Sequence, residues 1–273
     1  MRIDVDAVLR SRVPSLYRFI PGAAVRWLER TICQNRLNEL LSHNAAADGV
    51  DFARGVLADM GVTYSVNGKL PESSRVIITS NHPLGGLDGL VLADFVGTAY
   101  GRKDIGFVVN DLLAAVEPLR SIFLAVNKHG KQSREAVERL DRAMESDMPI
   151  VMFPAGLVSR RNSRGEIRDL SWQKMVVNKA IETGRDIVPL HFSGKNSAFF
   201  YNFARWRAKL GLKFNIEMIY LPRELVRSEG KHFTITVGEP IDCSTLRGGK
   251  ESARTAEQLC RQVYGLVNQE WNL

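Results

Sequence analysis

Two hydrophobic periods alternate along this chain. Short runs with almost no polar interruption, such as Val76-Ile77-Ile78-Thr79 and Pro149-Ile150-Val151-Met152-Phe153, have the length and character of buried strands. The same pattern predicts strands at 61–68, 105–109, 121–126, 186–192, 214–220 and 232–237. Between them lie stretches with helical spacing, at 50–59, 87–97, about 133–145, 171–183, from about 196, and 251–269. Ser133 fits an N-cap, Gly184 fits a helix stop, and Asn67-Gly68 reads as a turn. Strands alternating with helices predict an α/β fold. The expected architecture is a single layered domain, with a mostly parallel or mixed central sheet flanked by helices. The expected partition is a helical N-terminal extension over 1–60 and an α/β domain over 61–273, with no internal repeat and no low-complexity tract.

Residues 15–43 alternate apolar and basic positions and read as helical, with Pro21 in the first turn of the helix. Ala24, Trp27, Leu28 and Ile32 share a spacing, and Arg26, Glu29, Arg30 and Arg36 lie on other faces. Arg18, Arg26 and Trp27 suit a helix lying at a lipid interface, and the same pattern suits a helix packed on the domain. Residues 187–216 contain no acid. Lys195, Arg205, Arg207, Lys209 and Lys213 are interleaved there with Phe199, Phe200, Tyr201, Phe203 and Trp206. Such a mixture suits an anionic headgroup region, single-stranded nucleic acid, or a core that takes up the rings.

Composition narrows these options. The chain has 273 residues, 45% hydrophobic and 25% charged, which is globular rather than disordered or fibrous. A net charge of +7 favours an anionic partner. No segment has the roughly 20 apolar residues of a spanning helix, and the first residues lack the apolar region of a secretory signal. Three widely spaced cysteines, Cys33, Cys243 and Cys260, fit neither a disulfide framework nor a zinc site, so the expectation is a reducing cytoplasm and no metal.

The candidate chemistry lies in Asn81-His82-Pro83-Leu84-Gly85-Gly86-Leu87-Asp88-Gly89, directly after the apolar run 76–79. This places an imidazole and a carboxylate on a glycine-rich turn at a strand's C-terminal end, where functional groups gather in α/β proteins. A neutral histidine accepts a proton from a hydroxyl near neutral pH, and a carboxylate at its other ring nitrogen sets the tautomer and stabilises the imidazolium. No Gly-x-Ser-x-Gly elbow supplies an internal nucleophile. The pair therefore predicts direct activation of a substrate hydroxyl. Gly85 and Gly86 allow an acyl group close approach, with backbone N–H groups available to an oxyanion.

These residues resemble a known family. Asn81-His82 with the following Asp88 resembles the first signature block of the glycerolipid acyltransferases, which include lysophosphatidate acyltransferase. Phe153-Pro154-Ala155-Gly156-Leu157-Val158-Ser159 resembles the third block, Phe-Pro-Glu-Gly-Thr-Arg-Ser. Val188-Pro189-Leu190 resembles the fourth, and Val109-Asn110-Asp111-Leu112 through Val126-Asn127-Lys128 resembles the second in its order of elements. The resemblance implies acyl transfer from a thioester of acyl carrier protein or coenzyme A to a lipid hydroxyl. No permanently bound cofactor and no nucleic-acid partner are expected. It implies His82 as general base and Asp88 as its orienting partner. Asn81, Gly85, Gly86, Lys128, Phe153, Pro154, Gly156, Ser159, Arg160 and Arg161 are implied to bind substrate.

The departures point to the acceptor. Five residues separate His82 from Asp88 where the family has four, and Ala155, Leu157 and Val158 replace the usual Glu, Thr and Arg. The long His loop with Phe-Pro-Ala-Gly resembles a bacterial subgroup carrying the haemolysin label, some of whose members complete ornithine- or glycine-type aminolipids. That implies a lyso-aminolipid acceptor, with Arg160 and Arg161 facing a carboxylate headgroup. It also implies a peripheral enzyme on an anionic membrane surface, at the inner face of the cell membrane. The alternatives are a 1-acylglycerol-3-phosphate acceptor, hydrolysis as a thioesterase or lysophospholipase, and a basic module with no enzymatic activity.

Overall fold

The computed structural model describes residues 2–110, 116–126, 133–212 and 214–269. Five helices lead: α1 (Val5–Arg12), α2 (Pro14–Tyr17), α3 (Gly22–Thr31), α4 (Gln34–His43) and α5 (Gly49–Asp59). Then follow β1 (Thr63–Asn67), β2 (Val76–Ser80), α6 (Gly86–Tyr100), β3 (Gly106–Asn110), β4 (Phe123–Val126), α7 (Arg134–Glu145) and β5 (Ile150–Met152). The rest comprises β6 (Arg160–Arg161), β7 (Ile167–Arg168), α8 (Met175–Thr183), β8 (Asp186–Phe192), α9 (Ala198–Lys209), α10 (Leu221–Val226), β9 (His232–Val237) and α11 (Ser252–Gly265).

Seven strands form one sheet in the order β1-β9-β8-β2-β5-β3-β4, and β6 and β7 form a separate hairpin. All pairings in the large sheet are parallel except β8 with β9, so the protein is α/β with a mixed sheet. The most continuously apolar strands occupy the middle. Every residue of β2 and β5 is buried, whereas edge strand β1 is mostly exposed. Successive residues on a strand point to opposite faces, so each strand feeds two cores. Ile78, Val151 and Val188 meet Phe52 and Val56 of α5 and Val91 and Phe95 of α6. Ile77, Ile150 and Ile187 meet Leu140 of α7, Val177 of α8 and Leu259 of α11. Burial of each such side chain contributes about 1.5–3 kcal/mol. Helix α5, within the stretch expected as an N-terminal extension, thus lines the same core as α6.

Three expectations change. The helix expected within 15–43, from Pro21 onward, is divided in two. Cys33 takes the left-handed conformation, φ 53°, which breaks the backbone ladder between α3 and α4. Pro21 caps α3 from outside rather than sitting in its first turn, and Val25 and Thr31 are buried while Ala24 and Trp27 face outward. The run expected as a strand at 214–220 forms a 3-10 turn at Ile216–Tyr220 that leads into α10. Pro222 favours a helix start, and Glu217, in the middle of the run, is drawn inward to two arginines.

At the N-terminal edge of the parallel strands, Arg185 is fully buried. Its guanidinium donates to the carbonyls of Met144 (2.9 Å), Ala143 (3.0 Å), Met148 (2.8 Å), Val76 (3.3 Å) and Ser146. These are the end of α7 and the entries to β2 and β5, tied together by one side chain. No helix among the described residues is long and apolar enough to cross a membrane.

Candidate active site

Strands β8, β2 and β5 are neighbours and run in the same direction, so their C-terminal ends open at one place. Each end supplies part of a cluster. Residues 81–85 leave β2, Phe153 leaves β5, and Phe192 ends β8. Asn81 joins two of these ends, donating from Nδ2 to Phe192 O (2.9 Å) and accepting from Phe192 N–H (2.7 Å) through Oδ1. Its amide is thereby committed to the backbone, and the residue is buried. Neighbouring strand ends also explain why the His82 imidazole stacks on Phe153, with ring centroids 4.1 Å apart.

Asp88 lies in the first turn of α6 and is 0% exposed. Its Oδ2 accepts from Leu84 N–H (2.9 Å) and Gly85 N–H (3.2 Å), and its Oδ1 from Gly89 N–H (3.0 Å). These donors and the positive end of the helix stabilise a charge that burial would otherwise penalise. Gly85, at φ 93°, makes the turn. A side chain there would be strained and would meet Leu221 and Val158 at 3.1 Å.

His82 Nδ1 lies 3.0 Å from Asp88 Oδ2, with the ring N–H off the line of a hydrogen bond. Loose alignment of this kind is common in unliganded catalytic sites. The imidazole is 16% exposed, and Nε2 is the ring nitrogen opposite the carboxylate. Burial pulls the imidazolium pKa down. The Asp88 charge and contact more than offset this, Asp169 adds to the rise and Arg160 opposes it, so the value lies above that of an ordinary histidine.

Asp169 and Ser159 support His82 from the far side of the cluster. Ser159 N–H donates to His82 O (2.8 Å), and the Ser159 hydroxyl donates to Asp169 Oδ1 (2.6 Å). Neither Asp169 nor its partner Trp172 was anticipated from the sequence. An isolated acid beside a tryptophan, ten positions beyond Ser159, is the only signal they leave.

The arginines divide. Arg160 donates to Val158 O (2.6 Å) and to Glu217 Oε1 (2.8 Å), and lies over the Phe200 ring. Glu217 is 0% exposed and also receives Arg207 Nε (3.0 Å). Two arginines thus share one buried carboxylate, which makes Arg160 part of a packed network. Burial lowers its pKa against the pull of Glu217. Arg161 lies over Tyr201 and donates to Asn202 Oδ1 (3.2 Å), but its Nε has no hydrogen-bond partner among the described residues.

Of the remaining expected binding residues, Pro154 is buried with its carbonyl accepting from Gln173 N–H (2.9 Å). Gly156 is exposed in a turn at φ 63°, and Gly86 is exposed as the first residue of α6. The Gly85 N–H is committed to Asp88, while Gly86 belongs to a first helical turn whose N–H groups lack partners within the helix. Lys128 lies outside the described residues.

Similarity to known sequences defines the class. A family model described as acyltransferase matches residues 7–270, and the chain belongs to this acyltransferase family. Two relatives carry the name lyso-glycine lipid O-acyltransferase. The one from Phocaeicola vulgatus is 40% identical over 266 residues, covering 97% of this chain and 95% of the relative. The one from Bacteroides thetaiotaomicron is 40% identical over 266 residues, covering 97% of each. Among solved structures, the 1-acyl-sn-glycerophosphate acyltransferase PlsC from Thermotoga maritima aligns with a TM-score of 0.45 and 16% identity, over 81% of this chain and 83% of that one.

Proposed function

We propose that this acyltransferase moves a fatty acyl group from a thioester to the free hydroxyl of a lyso-glycine lipid, with His82 as general base. The carrying observation is the buried Asp88 carboxylate, held by three backbone N–H groups and 3.0 Å from His82 Nδ1, at the common end of β8, β2 and β5. The acceptor class follows from the relatives' names together with 40% identity across nearly the whole chain.

In this reading His82 Nε2 takes the proton of the acceptor hydroxyl, and the oxygen attacks the thioester carbonyl carbon. The Gly86 N–H is in the right turn to meet the oxyanion. Collapse breaks the C–S bond, and the leaving thiolate takes the proton back from the imidazolium. The acyl donor, on acyl carrier protein or coenzyme A, is a substrate, and no resident cofactor takes part. Arg161, which is not paired with a carboxylate among the described residues as Arg160 is, is the arginine this reading assigns to the glycine carboxylate.

The lipid substrate calls for a membrane surface, and two basic-apolar patches support peripheral binding to anionic lipid at the inner face. Leu16, Phe19 and Trp27 are exposed near Arg18 and Arg26, and Trp206, Leu210 and Phe214 near Arg205 and Lys209. The deciding experiment presents purified protein with labelled acyl-carrier-protein or coenzyme A donor and either lyso-glycine lipid or lysophosphatidate. Diacylated glycine lipid is the expected product. Preferential acylation of lysophosphatidate, or equal release of free fatty acid with and without acceptor, overturns the proposal.

A further inference from the structure

We propose that Asp169 is a positioning residue for His82: its carboxylate locks the peptide carrying the imidazole, and its negative charge faces the ring. The inference rests on the reading of His82 as the base. The Asp169 carboxylate is surrounded by donors. Oδ1 accepts from His82 N–H (3.1 Å) and the Ser159 hydroxyl (2.6 Å), and Oδ2 accepts from Trp172 Nε1 (3.0 Å). Asp169's own N–H donates to the Tyr264 hydroxyl of α11 (2.8 Å). The other polar group of the His82 main chain, its carbonyl, accepts from Ser159 N–H (2.8 Å). Both main-chain polar groups of His82 are therefore held by the two stems of the β6–β7 hairpin, which enters at Ser159 and exits at Asp169. Neither can let go without opening that hairpin or leaving a buried donor unpaired.

An asparagine could accept from His82 N–H through its oxygen, but its amide nitrogen would then meet the Trp172 indole N–H, donor against donor, and it would carry no charge. A carboxylate here carries an additional desolvation cost, and burial raises the Asp169 pKa against the pull of Ser159, Trp172 and His82. With donors on both oxygens, the ionised form is the one the surroundings fit. What that charge supplies is attraction for a proton on His82, added to that of Asp88. The charged and titratable groups around the pair are Asp88 from α6, Arg160 from β6, Arg168 from β7, and Cys260 and Tyr264 from α11. Of these, Arg160 opposes protonation of the ring. Asp88 orients the ring, whereas Asp169 orients the backbone beneath it.

The test is a pH profile of kcat for full-length Asp169→Asn and Trp172→Phe, with acyl donor and lyso-glycine lipid, beside wild type and His82→Ala. Asp169→Asn is expected to lose about ten- to a hundredfold in kcat with KM near the wild-type value, the size of loss that follows from a misplaced catalytic group. Its acid limb is expected to move to lower pH, because removing a nearby negative charge lowers the imidazolium pKa. Trp172→Phe keeps the charge and loosens one oxygen, so kcat falls less and the acid limb stays in place. An unmoved acid limb or a wild-type kcat in Asp169→Asn overturns the inference. Should Asp169→Asn fail to fold, a wild-type kcat in Trp172→Phe overturns it. An active His82→Ala defeats the base assignment itself, whereas an inactive His82→Ala with an unshifted Asp169→Asn defeats this inference alone.

Discussion

The two edges of the central sheet both bury charge, for opposite ends. At the N-terminal edge, Arg185 is surrounded by main-chain carbonyls from α7 and the entries to β2 and β5. Burial and the neighbouring Arg75 lower its pKa to about 10, which leaves it protonated throughout the physiological range. At the C-terminal edge, Asp88 and Asp169 flank an imidazole whose ring is partly open to solvent. A buried charge alone therefore does not mark a site. What distinguishes the His82 edge is an imidazole, a group able to gain and lose a proton, with Nδ1 beside a buried carboxylate at 3.0 Å and Nε2 on the opposite side of the ring.

The comparison can be broken by substitution at either edge. The largest effect is expected at His82. His82→Ala should lower kcat/KM about a thousandfold, within the range for general base catalysis, with a melting temperature near wild type. A similar loss of stability would place His82 with Arg185 as a structural group. Arg185→Met should do the reverse. It leaves several buried carbonyls without donors, so denaturant titration should show a loss of about 3 kcal/mol, while kcat per folded molecule stays unchanged. Asp88→Asn should cost about a hundredfold in kcat, roughly 2.7 kcal/mol of barrier, because the amide neither sets the tautomer nor stabilises the imidazolium.

The smallest and sharpest test is the pH profile. In the proposed mechanism transfer needs neutral His82, so activity is expected to fall as pH drops through its pKa. That pKa is raised chiefly by Asp88 against burial, so the acid half-point of the wild-type rate should lie above the ordinary histidine value of about 6.5. In Asp88→Asn it should move down. A wild-type half-point at or below 6.5 would mean that another group limits the rate.

Much of this was legible in the chain because it is local. The apolar runs at 76–80 and 150–152 are buried central strands, Ser133 caps α7, and Gly184 closes α8 in the left-handed conformation. His82 and Asp88 are brought together by one glycine turn, so their spacing alone exposed the pair. The break at Cys33 left no sign, because a left-handed cysteine is chosen by how α3 and α4 pack, not by its own preference. The run at 214–220 looked strand-like because its apolar content was visible and the arginines waiting for Glu217 were not.

By itself, the sequence determined the alternation of strands and helices, the glycine turn that joins imidazole to carboxylate, and the family pattern that follows it. These depend on backbone preference and on period, which act over a few residues. Only the tertiary structure decided that Arg160 belongs to Glu217 and Arg161 does not, that Asn81 serves Phe192, and that Asp169 holds His82. Those pairs lie 57, 111 and 87 residues apart. A polar side chain's partner is set by which buried donor or acceptor the folded chain brings within hydrogen-bond reach, and no local pattern encodes that distance.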